Sequence, residues 1–369
     1  MKETLKQLAG HFKINPSEII TEKILHGNRV KQNVHRLRIR DKRYLLKQHE
    51  NAEPVTKAGM TPFQIEKFTL SSLHSGGCAV PQLIWASEKH RTLLLEWVGD
   101  ETLDSLAQNS SIPNLTPLLH RIMRQLCHIE THFIENRTQF LLSVFQFDAH
   151  SILQSLLDQG RKTVGYLAHL QKNPLTPSQL EHFDSAWNNL SNTLLNAPTT
   201  LDTLDYQANN IVINGEEPYL IDFASLGWDW QERRLVQHFN SIGAFQEDSN
   251  FISLLNRELV RTYSEWVVLD REKCATTEVA ARVDGHHLLF YLTIIHKILH
   301  AQTRPESSES QLLVDAWGDL RLRIQRAISL IIKTSLSDDV YINQIRNMIA
   351  EFCIDISYRT YAFPSLAGG

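Results

Sequence analysis

Residues 201–230 decide the fold and read LDTLDYQANNIVINGEEPYLIDFASLGWDW. Short apolar runs in this stretch predict three strands, and the Asn-Gly pair at 214–215 is typical of a tight turn between the second and the third. Asp205 follows the first strand, Asn210 comes five residues later, and Asp222 lies at the end of the third strand. The sequence therefore predicts a hairpin with three polar side chains gathered in a single cleft.

The spacing of these three side chains suits phosphoryl transfer. One carboxylate must orient an acceptor hydroxyl and take its proton, which is the role expected for Asp205. An amide oxygen and a second carboxylate must hold the Mg²⁺ that bridges the phosphates, which fits Asn210 and Asp222. Taken alone, Asp205 and Asn210 fit a polar turn before a hairpin equally well. Asp202 is a rival base, but it lies eight residues before Asn210, which is the wrong spacing.

The first hundred residues carry a second set of candidates. Near-alternating apolar and polar positions predict a hairpin with strands at 33–39 and 43–48. Apolar positions at helical spacing predict a helix over 63–74, which the following Ser-Gly-Gly ends. Lys47 lies near the end of the second strand and Glu66 lies on the helix. We expect these two to form an ion pair, with a solvated lysine and a solvated glutamate as the alternative.

Together these residues resemble the aminoglycoside phosphotransferase and choline kinase superfamily, the protein-kinase-like small-molecule kinases. The catalytic loop of that family typically reads His-Gly-Asp-x-x-x-x-Asn and is followed by a strand that ends in Ile-Asp-Trp or Ile-Asp-Phe. Asp205, Asn210 and Asp222 match the Asp, the Asn and the second Asp. The resemblance covers roughly residues 15 to 235, with its motifs in the family's order.

The resemblance also implies roles for residues in the N-terminal region. Lys47 matches the lysine that contacts the nucleotide phosphates, and Glu66 matches the glutamate that holds this lysine. Asn33 lies in the segment GNRVKQNVHRL, which resembles the short nucleotide loop. Glu96 and Val98 bound a segment that resembles the hinge whose backbone binds adenine. The cofactors implied are ATP and Mg²⁺.

The sequence departs from the family pattern in two places. Thr203 and Leu204 stand where the catalytic loop usually has His and Gly, and that histidine commonly braces the loop. Further along, a family aspartate that often stabilises the loop is replaced near Arg234. These departures support a second interpretation, a nucleotide-binding pseudokinase that acts as a scaffold or regulator. A kinase that acts on a protein is a third.

The resemblance implies an α+β, bilobal protein-kinase-like fold. We expect residues 1–98 to form a small N-terminal nucleotide-binding lobe with an antiparallel sheet. Residues 99–369 are expected to form a mostly helical C-terminal lobe with the catalytic loop and the acceptor site. The implied activity is ATP-dependent transfer of the γ-phosphate to a hydroxyl of a small-molecule metabolite.

Composition argues against several other classes of protein. The 369 residues are 42% hydrophobic and 21% charged, which predicts a globular chain. A net charge of -4 argues against a nucleic-acid binder. The N-terminus lacks the apolar region of a signal peptide, and the longest apolar run, Leu288 to Ile295, is too short to span a membrane. The four cysteines show no CxxC spacing, which favours a reducing, cytoplasmic location.

The acceptor is expected to be a small molecule that is not polycationic. Residues 228–369 hold 18 acidic and 15 basic side chains, whereas a polycationic acceptor requires a carboxylate-rich pocket. Arg233 and Arg234, if they face the cleft, would suit a carboxylate or phosphate. We expect a neutral, zwitterionic or anionic hydroxyl compound rather than an aminoglycoside. Trp228 and Trp230 fit a wall of the acceptor pocket or a place in the core equally well.

Two histidine pairs and one basic segment complete the candidates. His128 and His132, and likewise His296 and His300, lie four residues apart, but no third metal ligand is evident in the sequence. We interpret them as structural or surface histidines. Residues 29–47 hold eight basic side chains and one acidic one. They could attract a nucleotide, but we interpret most of them as the solvated outer face of a hairpin.

Overall fold

The computed structural model describes residues 2–26, 29–170, 175–243, 252–270, 273–303 and 306–353. Gly27, which opens the predicted nucleotide loop, lies outside the described residues.

The strands of the described chain form three sheets. In order they are β1 (Ile19–His26), β2 (Arg29–Ile39), β3 (Lys42–Gln48), β4 (Leu83–Ser87), β5 (Thr92–Glu96), β6 (Glu101–Thr102), β7 (Thr200–Thr203), β8 (Ile211–Asn214), β9 (Glu217–Leu220) and β10 (Leu226–Asp229). The largest sheet has the order β1-β2-β3-β5-β4, and all its neighbouring strands are antiparallel. The other two sheets have the orders β6-β8-β9 and β10-β7.

Helices make up most of the remainder. They are α1 (Lys2–Phe12), α2 (Pro62–Ser75), α3 (Leu103–Asn109), α4 (Ile112–Glu135), α5 (Arg137–Phe140), α6 (Ala149–Leu170), α7 (Pro177–Leu195), α8 (Gln231–Asn240), α9 (Arg257–Asp270), α10 (Thr276–Thr303), α11 (Ser308–Trp317), α12 (Leu320–Lys333) and α13 (Val340–Cys353). An N-terminal antiparallel sheet followed by a mostly helical chain confirms the predicted α+β class.

The chain forms two compact units, each built from separate stretches of sequence. Unit 1 contains Met1–Ser105, Arg124–Phe147 and Thr200–Asp229, and unit 2 contains Leu106–Met123, Asp148–Thr199 and Trp230–Gly369. All three sheets of the described chain therefore belong to unit 1. The lobe boundary near residue 98 stays a prediction.

Helix α1 precedes the large sheet and was not predicted from the sequence. Leu8 of α1 is fully buried in a cluster with Leu37, Leu46 and Leu94 of the large sheet. A helix of 11 residues is marginal in isolation, so its stability comes from packing its apolar face on the sheet. The sequence signal before residue 13 is correspondingly weak.

Helix α2 confirms the helix predicted over 63–74, and its caps explain its bounds. Thr61 Oγ1 accepts a hydrogen bond from Gln64 N, and Gln64 Oε1 accepts one from Thr61 N, which forms a capping box. The helix ends at Gly76, whose N–H donates to Ser72 O at 2.9 Å. A Cβ at Gly76 would lie 2.3 Å from His132 Nδ1, so only glycine lets this ring pack there.

The prediction that Asp222 lies at the end of the third strand of residues 201–230 is wrong. Strand β9 stops at Leu220, and Asp222 lies beyond it with a φ of 69°. This left-handed conformation is disfavoured for most residues but tolerated by aspartate, and it turns the chain away from the sheet. The chain then enters β10, which the sequence analysis missed and which pairs with β7 through Leu226 and Thr203.

Unit 2 is organised around α10, a helix of 28 residues with most of its side chains buried. Two of its buried charged side chains, Arg282 and Asp284, form ion pairs. Arg282 Nη2 lies 2.9 Å from Glu232 Oε1, and Arg346 Nη2 lies 2.6 Å from Asp284 Oδ1. Throughout the described chain, no helix combines the length and the apolar character that crossing a membrane requires.

Candidate active site

Lys47 is the centre of a charged cluster in unit 1. Its Nζ lies 2.8 Å from Glu66 Oε1 and 2.9 Å from Asp222 Oδ1. Strand β3 holds Lys47 in the middle of the large sheet, opposite Leu93 of β5, and α2 carries Glu66. The fold thus brings together three of the residues singled out in the sequence, two of them 175 residues apart.

The contact between Lys47 and Glu66 favours the charged form of both side chains. Glu66 is 1% exposed, and burial disfavours its carboxylate, but the charge of Lys47 and the nearby His49 outweigh burial and lower its pKa to about 2. Burial also opposes the charge on Lys47, yet Glu66 and then Asp222 raise its pKa above the ordinary lysine value. Lys47 therefore presents a fixed positive charge next to Asp222.

His49 is a member of this cluster that the sequence analysis missed. Its Nε2 lies 2.8 Å from Glu66 Oε2, and its ring packs edge-on against Phe63 of α2. The only signal in the sequence is its position two residues after Lys47, the spacing that places strand residues on one face. His49 thus contacts the second oxygen of the Glu66 carboxylate, and Lys47 contacts the first.

The loop between β7 and β8 brings Asp205 and Asn210 together. Asn210 Nδ2 donates a hydrogen bond to the backbone oxygen of Asp205 at 2.9 Å. Gln207, which the sequence analysis did not single out, donates from Nε2 to Asp205 Oδ1 at 2.7 Å. The backbone N–H of Asn210 in turn donates to Gln207 O at 2.9 Å, so the loop is closed on itself.

The Asp205 carboxyl has a raised pKa. Burial is the largest cause, and the negative charge of Asp222 is the second. Hydrogen bonds from Asn210 and Gln207 and the charge of Lys47 act in the opposite direction but do not cancel the rise. A carboxylate with a raised pKa binds a proton more readily than an ordinary aspartate, which suits a general base.

Asp222 and Asp202 differ in their surroundings. The Asp222 side chain is 37% exposed, so its carboxylate remains accessible. Asp202 is 2% exposed, and its Oδ1 accepts a hydrogen bond from Thr203 N at 2.5 Å. The buried Asp202 side chain therefore binds the backbone at the end of β7. This agrees with its unsuitable spacing from Asn210 for a base.

The residues predicted to contact the nucleotide base and loop lie on neighbouring elements of unit 1. Asn33 precedes Val34, which pairs with Lys47 across β2 and β3. Glu96 ends β5, and its backbone N–H donates to Gln82 O at 2.9 Å. Val98 is buried in the segment that follows β5. Among the described residues, no hydrogen bond or ion pair joins Asn33, Glu96 or Val98 to the charged cluster.

Gly99 shapes the segment after β5. Its φ is 145°, and a Cβ there would lie 2.7 Å from Ile213 O of β8. Only glycine permits this close approach of two backbones. The predicted hinge therefore lies against β8, the strand that directly follows Asn210.

Arg36 and Arg43, which belong to the basic segment 29–47, contact residues of the segment that follows β5. The Arg36 guanidinium stacks over Trp97 at 4.2 Å from the ring centroid and forms an ion pair with Asp100. Arg43 Nη1 lies 3.1 Å from Asp100 Oδ2. These two arginines therefore connect the β2–β3 hairpin to the predicted hinge, a role that the pattern of charges did not indicate.

The two tryptophans after the hairpin have different environments. Trp230 is fully buried in unit 2, where its Nε1 donates to Ala197 O at 2.9 Å. Trp228 is half-buried in unit 1, and the Arg137 guanidinium stacks over its ring at 4.6 Å from the centroid. Trp230 is thus a core residue.

Members of both histidine pairs contact neighbouring side chains. His132 Nε2 lies 3.1 Å from Ser72 Oγ in unit 1. His296 and His300 stack with ring centroids 6.4 Å apart beside a cavity of about 300 Å³ in unit 2. Within the described residues, no group of three or more His, Cys, Asp or Glu side chains could hold a metal ion.

The chemistry of Asn210 and Asp222 nevertheless fits Mg²⁺ held jointly with a nucleotide. Mg²⁺ binds oxygen ligands and commonly uses one or two protein groups together with substrate phosphates. Asp222 offers an accessible carboxylate, and Asn210 offers an amide oxygen because its amide nitrogen is used by Asp205 O. Such a site needs no cluster of three protein carboxylates or histidines.

Comparison with known proteins gives matches only at the level of structure. No protein-family model and no curated protein matches the sequence. The choline kinase of Cryptosporidium parvum Iowa II is 13% identical, and the match covers 97% of this chain and 99% of that chain with a TM-score of 0.53. The chain has the fold of a choline kinase. The predicted resemblance is therefore confirmed for the fold.

A second solved structure is similar to most of the chain. It is a choline/ethanolamine kinase family protein from Mesorhizobium loti, which is 13% identical. The match covers 95% of this chain and 99% of that chain, with a TM-score of 0.49.

Proposed function

We propose that the chain is a small-molecule kinase that transfers the γ-phosphate of ATP to a hydroxyl group. The observation that carries this proposal is the position of Lys47 Nζ, 2.8 Å from Glu66 and 2.9 Å from Asp222. A lysine held by a buried carboxylate next to an accessible one is suited to bind phosphates beside a metal ion. The choline kinase fold adds support.

In the proposed complex, Lys47 contacts the α- and β-phosphates and Glu66 keeps its ammonium group in place. Asn33 contacts the nucleotide, and the backbone between Glu96 and Val98 binds adenine. Asn210 and Asp222 hold Mg²⁺, which when bound neutralises charge on the phosphates. These assignments follow the motifs of the sequence, and the contacts of Lys47 with Glu66 and Asp222 support them.

Asp205 is the proposed base. It accepts the proton of the acceptor hydroxyl as the acceptor oxygen forms a bond to the γ-phosphorus. The bond between the γ-phosphorus and the bridging oxygen breaks, and ADP leaves with that electron pair. The raised pKa of Asp205 supports this role, since burial and Asp222 both favour its taking a proton.

For the acceptor, we propose a small hydroxyl compound that is not polycationic. Arg234 is 2% exposed and Arg233 is half-buried, and both lie on α8 in unit 2. The nearly balanced charge of residues 228–369 supports a neutral, zwitterionic or anionic acceptor. The proposed location is cytoplasmic, which four free cysteines support.

A coupled assay of ADP release tests the proposal. Purified protein with Mg-ATP is given choline, ethanolamine, amino acids, sugars, nucleosides and aminoglycosides in turn. We expect acceptor-dependent ADP release with a compound of low positive charge. Efficient phosphorylation of an aminoglycoside would overturn the acceptor class, and no turnover with any acceptor would leave the enzyme proposal without support.

The alternative is a nucleotide-binding scaffold, which Thr203 and Leu204 favour because they replace the usual His-Gly of the loop. A scaffold binds Mg-ATP but does not turn it over. Slow ATP hydrolysis in the absence of an acceptor, lost in Asp205→Asn, would favour the enzyme. Binding without any hydrolysis would favour the scaffold.

A further inference from the structure

The catalytic loop is held by a set of contacts that replaces the usual histidine and aspartate of related kinases. We propose that Thr203 and the buried Tyr206–Asp229 pair are positioning residues that fix Asp205 for reaction. This inference rests on the proposed function, because it assigns a role toward the proposed base. It implies that the departures at 203 and 204 are compensated within unit 1.

Thr203 connects the backbone of Asp205 to the backbone of Asp222 through its hydroxyl group. Its Oγ1 accepts a hydrogen bond from Asp205 N at 3.3 Å and donates one to Asp222 O at 3.2 Å. A hydroxyl has a single proton, so one donated and one accepted bond use it in a defined orientation. Thr203 is 3% exposed and lies at the end of β7, which makes it a rigid anchor for both backbones.

The residue after the base is anchored separately. Tyr206 donates a hydrogen bond from its hydroxyl to Asp229 Oδ2. Asp229 is fully buried on β10, opposite Thr200 of β7, and Tyr206 is 7% exposed. A buried carboxylate is costly unless hydrogen bonds stabilise it, so this contact has a strongly preferred geometry. It therefore limits how far the backbone at Asp205 can move.

The side chain of Leu204 is accommodated by the same pair of strands. A Cβ at Gly227 of β10 would lie 2.7 Å from Leu204 Cδ1, so glycine at this position leaves room for the leucine. Leu204 N also donates to Ser225 O at 2.9 Å. Leu204, which replaces the family glycine, thus packs against a second glycine, Gly227.

These contacts act through the loop and not on the nucleotide. Thr203 and Tyr206 contact neither Lys47 nor Glu66, which hold the phosphates in the proposed complex. Removing the Tyr206 hydroxyl should therefore misplace Asp205 while leaving nucleotide binding intact, whereas removing the Thr203 hydroxyl also releases the backbone of Asp222, a proposed Mg²⁺ ligand. Misplacement of a reacting group by about 1 Å can cost on the order of a hundredfold in rate.

The test compares Thr203→Val, Thr203→Ser and Tyr206→Phe with the parent protein and its best acceptor. Thr203→Val and Tyr206→Phe are expected to lower kcat by about tenfold to a hundredfold, and Tyr206→Phe should keep KM for ATP within about twofold. Thr203→Ser keeps the hydroxyl and should retain most of the parental kcat. The Mg-ATP thermal shift should be parental in Tyr206→Phe and Thr203→Ser and smaller in Thr203→Val, which also loses the hydrogen bond to Asp222 O.

Matched controls remove buried hydroxyl groups elsewhere. Thr163→Val on α6 and Tyr263→Phe on α9 alter equally buried residues of unit 2 and should keep the parental kcat. If Thr203→Val does not fold, Tyr206→Phe decides alone.

Parental kcat in both Thr203→Val and Tyr206→Phe would overturn the inference while leaving the proposed function intact. Equal losses in Thr203→Ser and Thr203→Val would also overturn it, since the hydroxyl would then not be the cause. Absence of turnover in the parent protein itself would overturn the proposed function, and this inference with it.

Discussion

Lys47 and Asp222 lie 175 residues apart in the chain and form an ion pair with Nζ 2.9 Å from Oδ1. The same ammonium group contacts Glu66, but the two carboxylates differ, since Glu66 is 1% exposed and Asp222 is 37% exposed. Glu66 is thus the permanent partner that positions the lysine. Asp222 remains accessible to a ligand.

The first prediction concerns Lys47. Lys47→Met keeps much of the side-chain volume but removes the charge, so phosphate binding should weaken. At a ligand concentration of 100 Kd, Mg-ATP is expected to stabilise the parent by about 2.7 kcal/mol. Most of this stabilisation should be absent in Lys47→Met when melting temperatures are compared with and without Mg-ATP.

Lys67→Met is the matched control for this experiment. Lys67 lies on α2 next to Glu66, and its side chain is 41% exposed in a pair with Glu88. Its replacement should leave the Mg-ATP shift unchanged. An equal shift in Lys47→Met and in the parent would contradict the phosphate-binding role.

The second prediction concerns the proposed base. Asp205→Asn keeps the shape of the side chain but cannot accept the hydroxyl proton. Turnover should fall by about a hundredfold or more, with nucleotide affinity little changed. Steady-state kinetics and a nucleotide titration measure the two quantities. Asp158→Asn on the exposed side of α6 is the control, and near-full turnover in Asp205→Asn would show that the assignment is wrong.

The third prediction concerns stability in unit 2. Asp284 is fully buried, its Oδ1 lies 2.6 Å from Arg346 Nη2, and its Oδ2 accepts hydrogen bonds from Ser337 N and Oγ. Asp284→Ala leaves a buried guanidinium without this carboxylate. The free energy of unfolding should fall by about 3–5 kcal/mol in urea denaturation.

An exposed ion pair in the same unit provides the comparison. Arg161 Nη2 lies 2.6 Å from Asp184 Oδ1, with both side chains more than one third exposed. Arg161→Ala should therefore change the free energy of unfolding by less than about 1 kcal/mol. Equal effects of Asp284→Ala and Arg161→Ala would refute the importance of burial here.

The fourth prediction concerns acid sensitivity. His287 is fully buried on α10, and burial, followed by the charge of Arg346, lowers its pKa from 6.5 to about 3. His286 is shifted in the same direction by burial and by Arg233 and Arg282. The unfolded chain binds these protons below pH 6.5 while the folded chain does not. Stability should therefore be lost as the pH falls from about 6.5 toward 3.

Each such histidine contributes a slope of about 1.4 kcal/mol per pH unit within that window. The slope is measured by urea denaturation at a series of pH values between 7 and 5. His287→Asn should reduce it, whereas His182→Asn, at an exposed position on α7, should not. An unchanged slope in His287→Asn would contradict the prediction.

The hairpin of β8 and β9 could be predicted from the sequence because its determinants are local. The turn at Gly215 has a φ of 63°, which its Asn-Gly sequence predicts, and β8 and β9 follow on either side. The order of Asp205, Asn210 and Asp222 along this segment is a property of the chain itself. The determinants of helix α2 are also local, since the residues that cap it, Thr61 and Gly76, directly flank it in the sequence.

Only the tertiary structure decided which groups meet. Three contacts join residues that are far apart in the sequence, so no local sequence pattern predicts them. They are the contact of Lys47 with Asp222, the packing of α1 on the large sheet, and the hydrogen bond of Tyr206 to Asp229. Strand β10 was missed for the same reason, because its pairing with β7 depends on the turn at Asp222. Local hydrogen bonds and side-chain periodicity specify single elements. The sites between elements depend on how buried surfaces pack, and that is a property of the whole fold.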